Sequence, residues 1–137
     1  MDDRHTTQVT IMLGSNTGDR KANLDNAVKA LSGHVDRIAV TRDIDNPDFT
    51  GRGPDYLNRL LTGTTTLPLH SLKALLKETE TVLGRDRATP RLVAIDIDIV
   101  VYDDEIVKPS EYTSPPCQAL LAAKKIGADD WGLGKNR

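Results

Sequence analysis

The chain has 137 residues, long enough for one domain with a real core and too short for two comfortable ones. Its 18 Lys and Arg against 20 Asp and Glu give a formal charge of −2, with no global pull toward nucleic acid or a membrane surface. Aromatic residues make up 4%, too few for a base-stacking platform, and the single cysteine, Cys117, excludes an intrachain disulfide.

Taken in chain order, residues 7–13 (TQVTIML) read as a strand that ends at Gly14, Ser15 and Asn16. A helix follows over roughly 20–32, where Leu24, Ala27, Val28 and Leu31 repeat at helical spacing before Gly33. Residues 35–44 look like a second strand, and the polar loop DNPDFTGRGPD that follows is long enough to suggest a role in function. A third strand runs from about 56 to 67. After Pro68 a second helix carries a stripe of Leu72, Leu75, Leu76, Thr79, Val82 and Leu83, closed at Gly84. The fourth strand is VAIDIDIVVYDDEIV, residues 93–107, followed by a short helix over 117–126 and an irregular tail over about 127–137.

The order β-α-β-β-α-β predicts an α+β fold of the ferredoxin-like kind, an antiparallel sheet with its helices on one face. One domain over 1–137, with its core over about 7–126, is expected. No run approaches the roughly 18 apolar residues of a membrane span. Cytoplasmic residence is the corresponding expectation.

The fourth strand holds the chemistry. Alternation places Val93, Ile95, Ile97, Ile99 and Val101 on one face, under the helices, and Ala94, Asp96, Asp98 and Val100 on the other. Asp96 and Asp98 then stand about 6–7 Å apart. Their repulsion is roughly 2–3 kcal/mol at an effective dielectric near 20, so something positive should offset it. A carboxylate pair with scattered histidines (His5, His34, His70) suits Mg²⁺ rather than zinc or iron. Just upstream, GRDRATPR brings Arg85, Arg87 and Arg91, whose guanidinium forks match phosphate. A solvated outer face for the acids and simple charge balance for the arginines are the plainer readings.

Three motifs, Leu13-Gly14-Ser15-Asn16, Pro54-Asp55-Tyr56-Leu57-Asn58 and Ile95-Asp96-Ile97-Asp98-Ile99, occur in an order and spacing that resembles 6-hydroxymethyl-7,8-dihydropterin pyrophosphokinase. The resemblance covers roughly residues 8–115. It implies transfer of the β,γ-diphosphate of ATP to the pterin hydroxymethyl oxygen, in folate biosynthesis, with release of AMP. By the same resemblance Asp96 and Asp98 bind two Mg²⁺ ions, and Tyr56 and Asn58 belong to the pterin pocket. Glu80, Arg85, Arg87, Ile99 and Thr113 fall on the nucleotide side, with Arg85, Arg87 and Arg91 as the catalytic cations. Small molecules, ATP and a pterin, are the implied partners, with no nucleic acid and no membrane; oligomeric state is unknown.

The sequence departs from the family pattern at several places. Val93 stands three residues before Asp96, where an arginine is usual. The stretch between Arg87 and Asp96 is short and lacks a tryptophan. Pro115-Pro116-Cys117 replaces Pro-His-Tyr, and Lys124 falls near the usual pterin-clamping aromatic. A binding relative with weakened turnover and a ferredoxin-like RNA-binding module are the alternative readings; the acidic balance and few aromatics count against the second.

Overall fold

A computed structural model describes residues 5–46 and 54–127. Its elements are β1 (Thr7–Ser15), α1 (Arg20–Leu31), β2 (Asp36–Val40), β3 (Ile44–Asn46), β4 (Tyr56–Thr65), α2 (Leu69–Val82), β5 (Asp96–Tyr102), β6 (Glu105–Ile106), α3 (Pro109–Tyr112), α4 (Pro115–Leu121) and β7 (Ile126–Gly127). The sheet order is β6-β5-β1-β4-β2-β7, with β3 also paired to β4, and every pairing is antiparallel. The central four strands have the ferredoxin-like order that the sequence implies. Among the described residues no helix is long and apolar enough to cross a membrane.

Period-2 alternation sorts the central strands into two apolar faces. Val9, Ile11 and Leu13 of β1, Leu61 of β4 and Ile97 and Ile99 of β5 pack under α1 and α2 in the main core. Asp19 caps α1 by accepting the Ala22 N–H at 3.1 Å, and Leu24, Ala27, Val28 and Leu31 are its buried stripe. The opposite face holds a second cluster, Met12, Leu60, Val100, Cys117 and Leu120. The long helices therefore lie on one face as expected, while the short α4 covers part of the other.

Four local differences have physical causes. The strand expected over 35–44 breaks after Val40, and both pieces, β2 and β3, pair with β4. The fourth strand starts at Asp96, turns at Asp103 and Asp104, which both take positive φ, and returns as β6. Val93 is buried but held by Asn16: its N–H donates to Asn16 Oδ1 at 2.6 Å and its carbonyl accepts Asn16 N–H at 2.9 Å. A register shift against β1 inserts Val100 as an extra residue. Val101 then packs on the second cluster, not under the helices as alternation alone predicts, and Tyr102 meets the main core.

In α2 the buried positions are Leu72, Leu76 and Glu80, with Leu75 and Leu83 partly covered. Val82, expected in the stripe, is 76% exposed. Gly84 closes the helix at φ +104, a conformation L side chains rarely adopt. The helix expected over 117–126 runs instead over 115–121. Ser114 caps it and the two prolines fill its first turn, where their missing N–H groups cost nothing. Of the polar loop, residues 47–53 lie outside the described residues, as do 128–137 of the tail.

Candidate active site

The strand register assembles the site. Gly14 of β1 pairs with Asn58 of β4 on one side and with Asp96 of β5 on the other, so these three share one row of the sheet. The next row places Asp98 beside Met12 and Leu60. Gly14 is required by this crowding. A Cβ there would lie 2.9 Å from Asn58 Nδ2 and 3.3 Å from Tyr56 Cδ2.

Two cavities meet at the acids. The larger, about 510 Å³, lies between α2 and β5 and is lined by Glu80, Arg85, Arg87, Asp96, Asp98 and Lys108, among others. The smaller, about 220 Å³, is lined by Gly14, Asn46, Tyr56, Asn58, Glu111 and again Asp96. Asp96 thus borders both. Asn58 is buried; its Nδ2 donates to the Leu13 carbonyl at 3.1 Å, and among the described residues its Oδ1 has no hydrogen-bond partner.

The electrostatics of the acid pair are those of crowded carboxylates. The Asp96 carboxyl is pushed up to about 8, first by burial, then by its hydrogen bond to Asp98 and by the charges of Asp98 and Glu80, with Arg85 opposing. Arg85 Nη1 lies 3.4 Å from Asp96 Oδ1, and Lys108 Nζ lies 2.8 Å from Asp98 Oδ1. Burial pulls the Lys108 ammonium down, but the Asp98 hydrogen bond and the nearby acids raise it overall. Glu111 is raised by burial and by the charge of Asp98.

Glu80, placed on the nucleotide side by resemblance, is not a solvated helix-surface acid. It is buried, with Oε2 accepting the Ile97 N–H at 2.7 Å and Oε1 accepting from Arg87 Nη2 at 2.8 Å. Arg85 Nη1 stands 3.7 Å from the same oxygen. One carboxylate on α2 therefore fixes the edge of β5 and gathers both arginines. Its i+4 spacing from Leu72 and Leu76 was the available signal.

The structure brings Asp96, Asp98, Glu80, Arg85, Arg87 and Ile99 to the larger cavity, and Tyr56 and Asn58 to the smaller. It does not bring Arg91 or Thr113 to either. Arg91 is exposed beside a separate small cavity of residues 88–92, and it is its carbonyl that is used, accepting Asn16 Nδ2 at 2.9 Å. Thr113 is exposed and spends its hydroxyl on the Pro109 carbonyl at 3.0 Å, because it ends α3. Sequence reasoning missed Lys108 and Glu111, which carry no motif and reach the site only because β6 and α3 fold back along β5. Lys73 and Lys77 of α2 also line the larger cavity.

Among the described residues no group of three or more His, Cys, Asp or Glu gathers as a metal cage.

A model of the family described as 7,8-dihydro-6-hydroxymethylpterin-pyrophosphokinase (HPPK) matches residues 10–123. The chain belongs to the HPPK family. A 2-amino-4-hydroxy-6-hydroxymethyldihydropteridine pyrophosphokinase of Methylorubrum extorquens is 30% identical over 90% of this chain and 84% of its own length. The Aquifex aeolicus protein of the same name is 31% identical over 73% of this chain and 64% of its own. A folate synthesis bifunctional protein of Arabidopsis thaliana is 32% identical over 89% of this chain, which spans only 28% of that longer protein. A Plasmodium falciparum HPPK-DHPS crystal structure aligns with 76% of this chain and 30% of that one, at 10% identity and TM-score 0.49. The HPPK match takes in every motif quoted above, from the end of β1 through β5.

Proposed function

We propose that the protein transfers the β,γ-diphosphate of ATP to the hydroxymethyl oxygen of 6-hydroxymethyl-7,8-dihydropterin, with Mg²⁺ at Asp96 and Asp98. The observation that carries this reading is the position of Asp96, on the seam between a cavity rimmed by cations and a second, smaller one walled by Tyr56 and Asn58. A nucleotide triphosphate fits the first in charge, and a small ring with hydrogen-bonding edges fits the second.

The acid pair fits Mg²⁺ on its chemistry. It offers hard oxygen donors only, and its two carboxyls are crowded enough that one retains a proton up to about pH 8. Mg²⁺ commonly takes one or two protein carboxylates and completes its sphere with water and phosphate oxygens. Bound there, it would supply charge neutralisation on the triphosphate.

The chain's own residues do the rest. Arg85 and Arg87, anchored on Glu80, hold cationic charge beside the triphosphate and stabilise charge developing on the leaving AMP. Asn58 is fixed by the Leu13 carbonyl and presents its vacant Oδ1 as an acceptor for a ring N–H. Gly14 lines the smaller cavity and leaves Asn58 and Tyr56 the room that a Cβ would take. The acceptor oxygen forms a bond to the β-phosphorus, and the bond from that phosphorus to the oxygen shared with the α-phosphate breaks. AMP departs with the electron pair, and the hydroxyl proton is lost to solvent. Holding the two reactants in line contributes several kcal/mol to such a step.

Incubation with MgATP and hydroxymethyl-dihydropterin should yield AMP and the pterin diphosphate, and Asp96→Ala should abolish both. A wild-type protein that makes neither product and binds neither substrate sinks the reading. The distance of Arg91 from the larger cavity favours one second reading, a binding protein with weakened turnover; calorimetric binding of both substrates without AMP would support it.

A further inference from the structure

Each aspartate of the pair already carries a cation, and the two cations are held differently. Arg85 is largely buried, and its Nη1 stands 3.4 Å from Asp96 Oδ1, 3.2 Å from the Ile95 carbonyl and 3.7 Å from Glu80 Oε1. Acceptors on α2 and at the start of β5 fix it in place. Lys108 is 47% exposed, and among the described residues Asp98 is its one side-chain hydrogen-bond partner, at 2.8 Å. Its backbone is nevertheless pinned, because its carbonyl accepts the Glu111 and Tyr112 N–H groups at 3.1 and 2.9 Å and so opens α3. The four-carbon stem can swing while the Cα stays. Lys108 also lines the larger cavity beside Arg85 and Arg87.

A divalent ion at Asp98 competes with Lys108 for the charge of one carboxylate, and for Oδ1 itself where it binds that oxygen. An ammonium held by one contact leaves more readily than a guanidinium held by three.

We infer that Lys108 is an exchangeable counter-ion: it holds Asp98 in the ligand-free protein, yields it to the divalent ion, and takes a phosphate oxygen of the nucleotide instead. This rests on the metal-nucleotide reading above. It makes the two ligands cooperative, since metal frees Lys108 for phosphate and phosphate draws Lys108 off Asp98; the coupling must be reciprocal.

The test is Mn²⁺ binding, followed by electron paramagnetic resonance of free Mn²⁺ at about pH 8.5, above the raised Asp96 value of about 8. Wild type, Lys108→Met, Lys108→Arg and Asp98→Asn are each titrated with and without a non-hydrolysable ATP analogue. Metal-free binding of the analogue is measured separately. Lys108→Met should bind Mn²⁺ alone about two- to fivefold tighter, the scale of a partly exposed ion pair. It should bind the metal-free analogue more weakly, and lose much of the coupling between the two. Lys108→Arg should follow wild type. A merely structural lysine would move both affinities in the same direction, and that result overturns the inference. So does an unchanged or weaker Mn²⁺ affinity in Lys108→Met while Asp98→Asn weakens Mn²⁺ binding. Should Asp98→Asn leave Mn²⁺ binding intact, the metal reading itself falls.

Discussion

Replacing Asp96 with Asn should stabilise the ligand-free protein at alkaline pH. The Asp96 carboxyl rises from 3.8 to about 8 on folding, so the folded state holds its proton more tightly than the unfolded chain does. As pH climbs from about 4, the unfolded chain gives up that proton first and stability falls, until the folded carboxyl ionises near 8. Taken without screening, a shift of this size corresponds to roughly 6 kcal/mol at about 1.4 kcal/mol per unit. The Asp96 side chain is 37% exposed, however, and solvent screening brings the expected penalty to about 1–3 kcal/mol. Asn mimics the neutral carboxyl in shape and forfeits only the Arg85 contact, worth about 0–1 kcal/mol. Urea unfolding of both proteins without divalent ions, from about pH 4 to pH 8.5, reads the difference directly. Asp96→Asn should match wild type near pH 4 and exceed it by about 1–2 kcal/mol at pH 8.5. A difference that is flat with pH, or a wild type that is the more stable at high pH, would refute the reasoning.

Other outcomes follow from the same contacts. Gly14→Ala drives a Cβ against Asn58 and Tyr56. The Michaelis constant for the acceptor should rise about tenfold while that for the nucleotide stays near wild type, in steady-state kinetics with each substrate varied. Arg59, 1% exposed on β4, joins Asp43 before β3 to Asp25 of α1. Arg59→Ala removes the cation that Asp43 and Asp25 share, while Asp25 keeps its pair with Lys21; it should cost about 3–5 kcal/mol in chemical denaturation, whereas Arg59→Met with Asp43→Leu should recover part of that loss. Cys117 is fully buried and its thiol is pushed up to about 11 by burial and by Glu111. A thiol-disulfide reagent at pH 8 should leave the native protein unmodified and label one equivalent in urea.

The fold and the acid pair were legible because they rest on periodicity. Alternation in β5 and the 3.6-residue stripe of α1 are properties of short windows; the structure keeps the stripe, and keeps the alternation from Asp96 to Val100. What failed depends on partners distant in sequence. Val93 was assigned to a strand on composition, but it is bound by Asn16, 77 residues away. Val101 changed face because one extra residue, Val100, enters the ladder against β1, and no residue type announces a bulge. Arg59 shares its face of β4 with Leu57 and Leu61, and the acids Asp25 and Asp43 that hold it there lie far from it in sequence. Glu80, placed on the nucleotide side by resemblance, also continues the Leu72 and Leu76 spacing into the buried face of α2. Lys108 was invisible, because only the hairpin turn at Asp103 and Asp104 returns it to Asp98. The loop residues 47–53, expected to matter for function, lie outside the described part of the chain.

The nucleotide product of the wild-type reaction tests the central claim most directly, and phosphorus-31 NMR of MgATP incubated with the acceptor identifies it. If nucleotide and acceptor face each other across Asp96 as the two cavities suggest, AMP should accumulate in step with pterin diphosphate and no ADP should form. ADP with a pterin monophosphate, or consumption of ATP indifferent to the acceptor, would contradict it.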